Sequence, residues 1–359
     1  MSRNDGENEA GGDTRHADGW DGLVAVSNRS KGAGQLAMMQ LGLIGIGAGA
    51  AAALLFASVT SGAWLSIPLF YLAPLPIMIA GLGWSHWAAL IAALAGALAL
   101  GIAFGPVFFF SFLASAGLPA WLLGYLAMLA RPVGDAAAAI EWYPPGRLVI
   151  WAAVLGALVV VVAVPNFGLD AESFRAGLRN ALTHIVRMET DLPADTARAA
   201  PGATNAERLM DFLVAAIPPA AAVLATITNV LNLWLAATIV RFSGLLKRPW
   251  PQLAAMTFPR PLAAALAVAV VLSFVGSLIG ILAGVLSASL LMAYGVLGFA
   301  VLHAVTRGLA SRMFLLAGVY TAVLVLGWPV LALCLLGLID AVFDLRARIA
   351  PTRGPPALT

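Results

Sequence analysis

Two asparagines stand three positions apart in "ITNVLNLWLAATIVRFSG", residues 227–244, a stretch otherwise suited to hydrocarbon. At that spacing Asn229 and Asn232 share one helical face. An amide turned to lipid would leave polar atoms unpaired, at a cost of a few kcal/mol. The pair must therefore meet a neighbouring helix, backbone freed by an irregular helix, or a polar solute. Trp234 follows closely, and Arg241 can reach the membrane surface while facing the favourable end of the helix dipole. A second polar group lies in "LGLIDAVFDLRARI", residues 336–349, where Asp340 precedes Asp344 by one turn and Arg346 and Arg348 follow. An acid there could relay a proton or gate a pathway. Fixing a short terminal helix against Arg307 or Arg312 is the plainer role, and the favoured one.

Other chemistry finds little support. His16, His86, His184 and His303 are scattered, with none of the spacings that bind zinc. Cys334 is the single cysteine, so neither an internal disulfide nor a cysteine cage can form. No glycine loop of the phosphate-binding type is present, and "LLKRPWP" (245–251) supplies charge without a nucleic-acid motif. The chain is thus expected to be no enzyme, to need no cofactor or metal, and to bind no nucleic acid.

The elements that position these residues follow from composition. The chain of 359 residues is 61% hydrophobic and only 10% charged, against about 25% charged in a soluble domain. Only a polytopic membrane protein is compatible with so little charge. Apolar runs near 36–58, 64–83, 86–105, 108–129, 148–166, 212–240, 261–284 and 286–306 each have about the length of a crossing. A ninth run, 313–343, breaks at Gly327–Trp328–Pro329, because proline removes a backbone donor and disfavours helix just before it. The expected fold is an all-α transmembrane bundle of about eight spans plus a C-terminal helical hairpin.

The basic residues orient it. Arg131, Arg147, Arg241, Lys247, Arg248, Arg260, Arg307 and Arg312 fall in alternate connections, whereas the short loops between hold almost none. Positive residues stay inside, so both termini are expected in the cytoplasm. Residues 1–35, acidic and glycine-rich, read as a disordered cytoplasmic tail. Residues 36–166 and 212–349 form two membrane regions, and 350–359 a short tail. Between the membrane regions, 167–211 is external. Its "AESFRAGLRNALTHIVRM" (171–188) gathers Phe174, Leu178, Leu182 and Val186 on one face of an amphipathic helix, either a lid or cap over the bundle or an inert surface element.

Small residues recur every fourth position at Gly45, Gly49, Ala53 and Ala57, and again at Gly276, Gly280 and Gly284 within the run 261–284. Such stripes let helices approach closely. The first is a candidate docking surface for a partner membrane protein, with packing inside the chain as the favoured role.

"NVLNLWLAATIVRFSG" and "LGLIDAVFDLRARI", with "IPLFYLAPLPIMIAGLGW" (67–84) and "LPAWLLGYLAMLAR" (118–131), resemble the uncharacterised YybS-like family of bacterial membrane proteins over about 36–349. The resemblance implies a multi-pass protein of the bacterial inner membrane, often encoded among ribosomal-protein genes. It also implies a distant relation to the substrate-binding components of energy-coupling-factor vitamin transporters, although this chain has more spans than those. Asn229, Asn232, Trp234, Arg241, Asp340 and Arg346 are the marked positions it carries over, without an assigned role. Two functions are weighed. One is a small-solute transporter or its substrate-binding component, working among membrane lipids with a partner ATPase. The other is a non-enzymatic scaffold or assembly factor acting through helix contacts.

Overall fold

Apolar runs become separate helices where proline and glycine interrupt them. The structure, a computed structural model, describes residues 38–133, 140–190 and 203–349. The expected tails at 1–35 and 350–359, and part of the external segment, lie outside those residues. α1 spans Met38–Ser61. The second crossing is broken into α2 (Ser66–Tyr71) and α3 (Pro74–Gly83). α4 (His86–Phe104) begins where the Ser85 hydroxyl accepts from the Trp87 N–H, 3.2 Å away. It stops at Gly105, whose φ of 93° side chains avoid, directly before Pro106. α5 (Pro106–Phe112), a π-helical turn (Leu113–Gly117) and α6 (Leu118–Ala127) form one interrupted crossing.

A small ribbon follows that no hydropathy pattern announced. β1 (Ala130–Pro132) pairs antiparallel with β2 (Ile140–Trp142), and Arg131 and Glu141 form an ion pair at 2.6 Å. α7 (Pro145–Ala163) then leads to α8 (Ala171–Thr190), whose Phe174 and Leu178 pack with Val164, Val214 and Leu278. α9 (Ala203–Phe242) is a single helix of 40 residues with Pro218 and Pro219 inside it.

The expected boundary between 261–284 and 286–306 is corrected. α10 covers Pro261–Ser273, and α11 covers Leu278–Val305. The reversal at 274–277 begins with two apolar residues, Phe274 and Val275, both exposed. Hydropathy therefore runs through the turn without a dip. Gly276 falls in that turn, so the second small-residue stripe does not lie on one helix.

The last run breaks at Gly327–Pro329, as expected, into α12 (Arg312–Leu326) and α13 (Val330–Phe343), with the short α14 (Leu345–Ile349) after it. α13 packs antiparallel on α11. A Cβ added at Gly298 would overlap the Leu333 carbonyl, and one at Gly337 would overlap that of Tyr294. Buried Cys334 sits in the same contact, its Sγ 3.1 Å from where a Cβ of Gly295 would be. α12, by contrast, buries none of its residues.

Seven helices among the described residues are long and apolar enough to cross a membrane, and α10, α12 and α13 are shorter apolar helices. Two cores result. One joins α1 and α3 to α6 with faces of α7 and α9; the other joins α7, α9, α10, α11 and α13. α7 and α9 belong to both, and every candidate polar residue lies on α9 or against the second core.

The Gly45–Gly49–Ala53–Ala57 stripe faces α4. A Cβ at Gly49 would come within 2.5 Å of the Ala92 carbonyl oxygen and 3.0 Å of the Gly96 nitrogen. Gly49→Leu is therefore expected to destroy the folded protein, since overpacking on backbone cannot relax by a rotamer change. Size-exclusion chromatography in mild detergent checks this. A monodisperse Gly49→Leu protein with the native melting temperature would instead place that face outside the bundle.

Candidate functional site

α7 and α9 cross closely because Gly156 has no side chain. A Cβ there would lie 2.6 Å from Thr226 Oγ1 and 2.9 Å from the Ala222 carbonyl. One turn further along α9, buried Asn229 donates from Nδ2 to the Ala152 carbonyl of α7 at 3.3 Å. Asn232, also buried, donates from Nδ2 to the Tyr71 carbonyl at 2.8 Å and to Thr228 in its own helix at 2.8 Å.

The need for the Tyr71 contact is written in the prolines of α2 and α3. Pro74 has no N–H to offer Tyr71, and the Leu75 N–H turns instead to Leu72, 3.0 Å away. The Tyr71 carbonyl is thus freed inside the bundle, and Asn232 supplies its donor. Two carbonyl acceptors fix which end of that amide is nitrogen. Its Oδ1 is buried without a partner among the described residues. Both asparagines accordingly stitch helices together, α9 to α7 and α9 to the α2–α3 break.

Asp340 and Arg346 form the other polar knot. Arg346 Nε lies 3.1 and 3.0 Å from the two carboxylate oxygens, and Nη2 lies 2.7 Å from Oδ2. The same guanidinium donates to the Ala254 and Met256 carbonyls at 2.7 and 2.8 Å. The chain reverses at Asp344, the only non-glycine with positive φ among the described residues, so that α14 folds back on α13. The expected pairing of Asp340 with Arg307 or Arg312 is thereby replaced. The reversal puts the sequence-adjacent arginine closer than either. Arg241 lies over the Trp250 ring, 4.7 Å from its centre, at the α9 end.

Neither asparagine opens onto the cavity between the two cores, a space of about 560 Å3. α9 contributes Val230, Leu233, Trp234 and Ala237, its neighbouring face. Leu148 and Val149 of α7 and Val296 and Phe299 of α11 complete apolar walls. Arg248, Trp250, His303, Arg307, Arg312 and Tyr320 bring polar groups to it. His303 Nε2 and the Tyr320 hydroxyl are 2.9 Å apart, joining α11 to α12. Arg248 donates to the Ala127 and Tyr143 carbonyls at 2.8 and 2.7 Å. Burial lowers its pKa from the ordinary arginine value, and the charge persists because that value lies far above neutrality.

Of the marked positions, the cavity takes only Trp234. Arg248, His303, Arg307, Arg312 and Tyr320 were missed as site residues. The signal was available in part: Arg248, Arg307 and Arg312 lie in two connections assigned to one side of the membrane, and bases there gather near its surface. Among the described residues no group of three or more His, Cys, Asp or Glu side chains could hold a metal.

A family model described as predicted membrane protein (DUF2232) matches residues 50–341, covering both cores and the cavity. The chain belongs to that family. No curated protein and no solved structure matches it. What DUF2232 membership gives is an integral membrane protein; the cavity has to supply the rest.

Proposed function

We propose that this membrane protein is a solute-binding component of a transport system and that it holds a small amphipathic solute in the cavity between its two cores. The observation carrying this reading is the cavity itself, about 560 Å3 with walls from α7, α9 and α11. Ligand sites commonly enclose about 300–1,000 Å3 and are mostly apolar with a few placed polar groups. The chain has no nucleotide-binding loop of its own, so a partner ATPase is the proposed source of energy. The likeness to energy-coupling-factor components, read from sequence, agrees with that division of labour. Residence in a bacterial inner membrane with both termini in the cytoplasm belongs to the same proposal and rests on the distribution of basic residues. The scaffold reading keeps one support, α12, which buries none of its residues.

Filling the cavity tests the solute reading. Phenylnaphthylamine, an uncharged apolar fluorophore, should enter the purified protein in nanodiscs. Ala237→Trp should weaken uptake by at least about tenfold while circular dichroism stays native. Equal uptake by both proteins would place the dye on the lipid-facing surface and overturn the reading.

A further inference from the structure

We infer that the solute's head group is a phosphate-type oxyanion, seated against Arg307 and Arg312, with an apolar chain running along Trp234 and Phe299. This inference rests on the solute-binding reading above and adds the ligand's charge and chemistry to it.

The arginine set carries the argument. Three guanidinium groups, those of Arg248, Arg307 and Arg312, line one cavity, and among the described residues no aspartate or glutamate lines it. The four ion pairs among the described residues use none of the three. Arg307 is exposed, but Arg248 and Arg312 are only partly so, and cations held partly out of water without counter-charge are costly. Arg312 sharpens the point, because its Nε is buried and has no hydrogen-bond partner. An unpaired donor on a permanent cation, at the wall of a cavity, calls for an acceptor that carries negative charge.

The protein shows elsewhere how it treats an arginine used only for structure. Arg346 is given both oxygens of Asp340 and two carbonyls. Arg248 is partly satisfied in that manner, by two carbonyls, and contributes a fixed positive field without a counter-ion. Arg307 and Arg312 have neither kind of partner among the described residues. The difference marks them as ligand-facing.

Charge then selects among anions. A phosphate monoester carries about −1.5 to −2 near neutral pH with several acceptor oxygens, which suits several arginines better than a monovalent carboxylate does. Basic pockets between membrane helices are known to take phosphate head groups of lipids. A soluble phosphate ester or free phosphate would offer the same head.

The full chain, purified in phosphatidylcholine nanodiscs, provides the test, with displacement of phenylnaphthylamine as the readout. Decyl phosphate should displace the dye at a concentration at least about tenfold below decanoate, and further still below decyltrimethylammonium. Arg312→Gln should erase most of the preference for decyl phosphate over decanoate, read as the ratio of the two displacing concentrations on the same variant. Arg307→Gln serves the same purpose on an exposed residue should Arg312→Gln fail to fold. Loss of dye binding in nanodiscs enriched in phosphatidic acid would identify a membrane lipid as the source of the head. Displacement by inorganic phosphate alone would identify a soluble one. Both results support the oxyanion. Equal displacement by the phosphate, the carboxylate and the ammonium amphiphiles would overturn it and leave solute binding standing. Failure of the dye to enter the unmodified protein would remove the solute-binding reading itself.

Discussion

Arg346→Ala is expected to lower the stability of the folded protein by about 3–5 kcal/mol, the usual cost of stripping one partner from a buried ion pair. Asp340 is only 3% exposed and the Arg346 side chain 18%, so water cannot replace the lost guanidinium. The substitution also frees the Ala254 and Met256 carbonyls, which Arg346 holds at 2.7 and 2.8 Å. Arg346→Lys keeps the charge but not the planar fork and should recover less than half of the loss. Replacing both residues with leucine should cost less than Arg346→Ala alone, because no charge remains stranded. Thermal unfolding in a single detergent ranks the variants. An Arg346→Ala protein within about 1 kcal/mol of the parent would mean that the pair contributes no more than a surface contact does.

The second large effect is expected at Asn232. Asn232→Ala leaves the Tyr71 carbonyl unpaired inside the bundle, at about 1–3 kcal/mol. Asn229→Ala removes a longer bond, 3.3 Å, to a carbonyl within the run of α7, and should cost nearer the ~0.6 kcal/mol typical of a contact between membrane helices. Hydrogen exchange adds a local reading. Asn232→Ala should raise exchange at Leu72 and Ala73, where α2 meets α3, and Asn229→Ala should not. The reverse order of stabilities would sever the link between the proline break and the amide that answers it.

How much of this could be read in advance depends on how local each cause is. The polytopic helical class followed from 61% hydrophobic composition, and the break at Gly327–Pro329 followed from residues that cannot continue a helix. Both are properties of short stretches. The reversal at 274–277 escaped because Phe274 and Val275 are as apolar as the helices around them. Asn229 and Asn232 announced themselves as buried, since a lone amide in an apolar run must find partners. Which partner each took was hidden, because Tyr71 lies 161 positions away from Asn232. The cavity was the least legible feature. Its arginines come from two separate connections and, taken singly, look like the ordinary basic flanks of membrane helices. Only the close packing of α7, α9 and α11 brings their heads to one space.

The chain's single cysteine gives the molecule a reporter of its own. Cys334 lies sealed in the α13–α11 contact, 3% exposed, and no other thiol in the sequence competes with it. A thiol reagent can modify the native protein only when α13 lifts from α11 far enough to bare the sulfur. The modification rate in unaltered protein therefore clocks that opening directly, in vesicles or in whole cells. No engineered label is needed to follow the motion of the C-terminal helices.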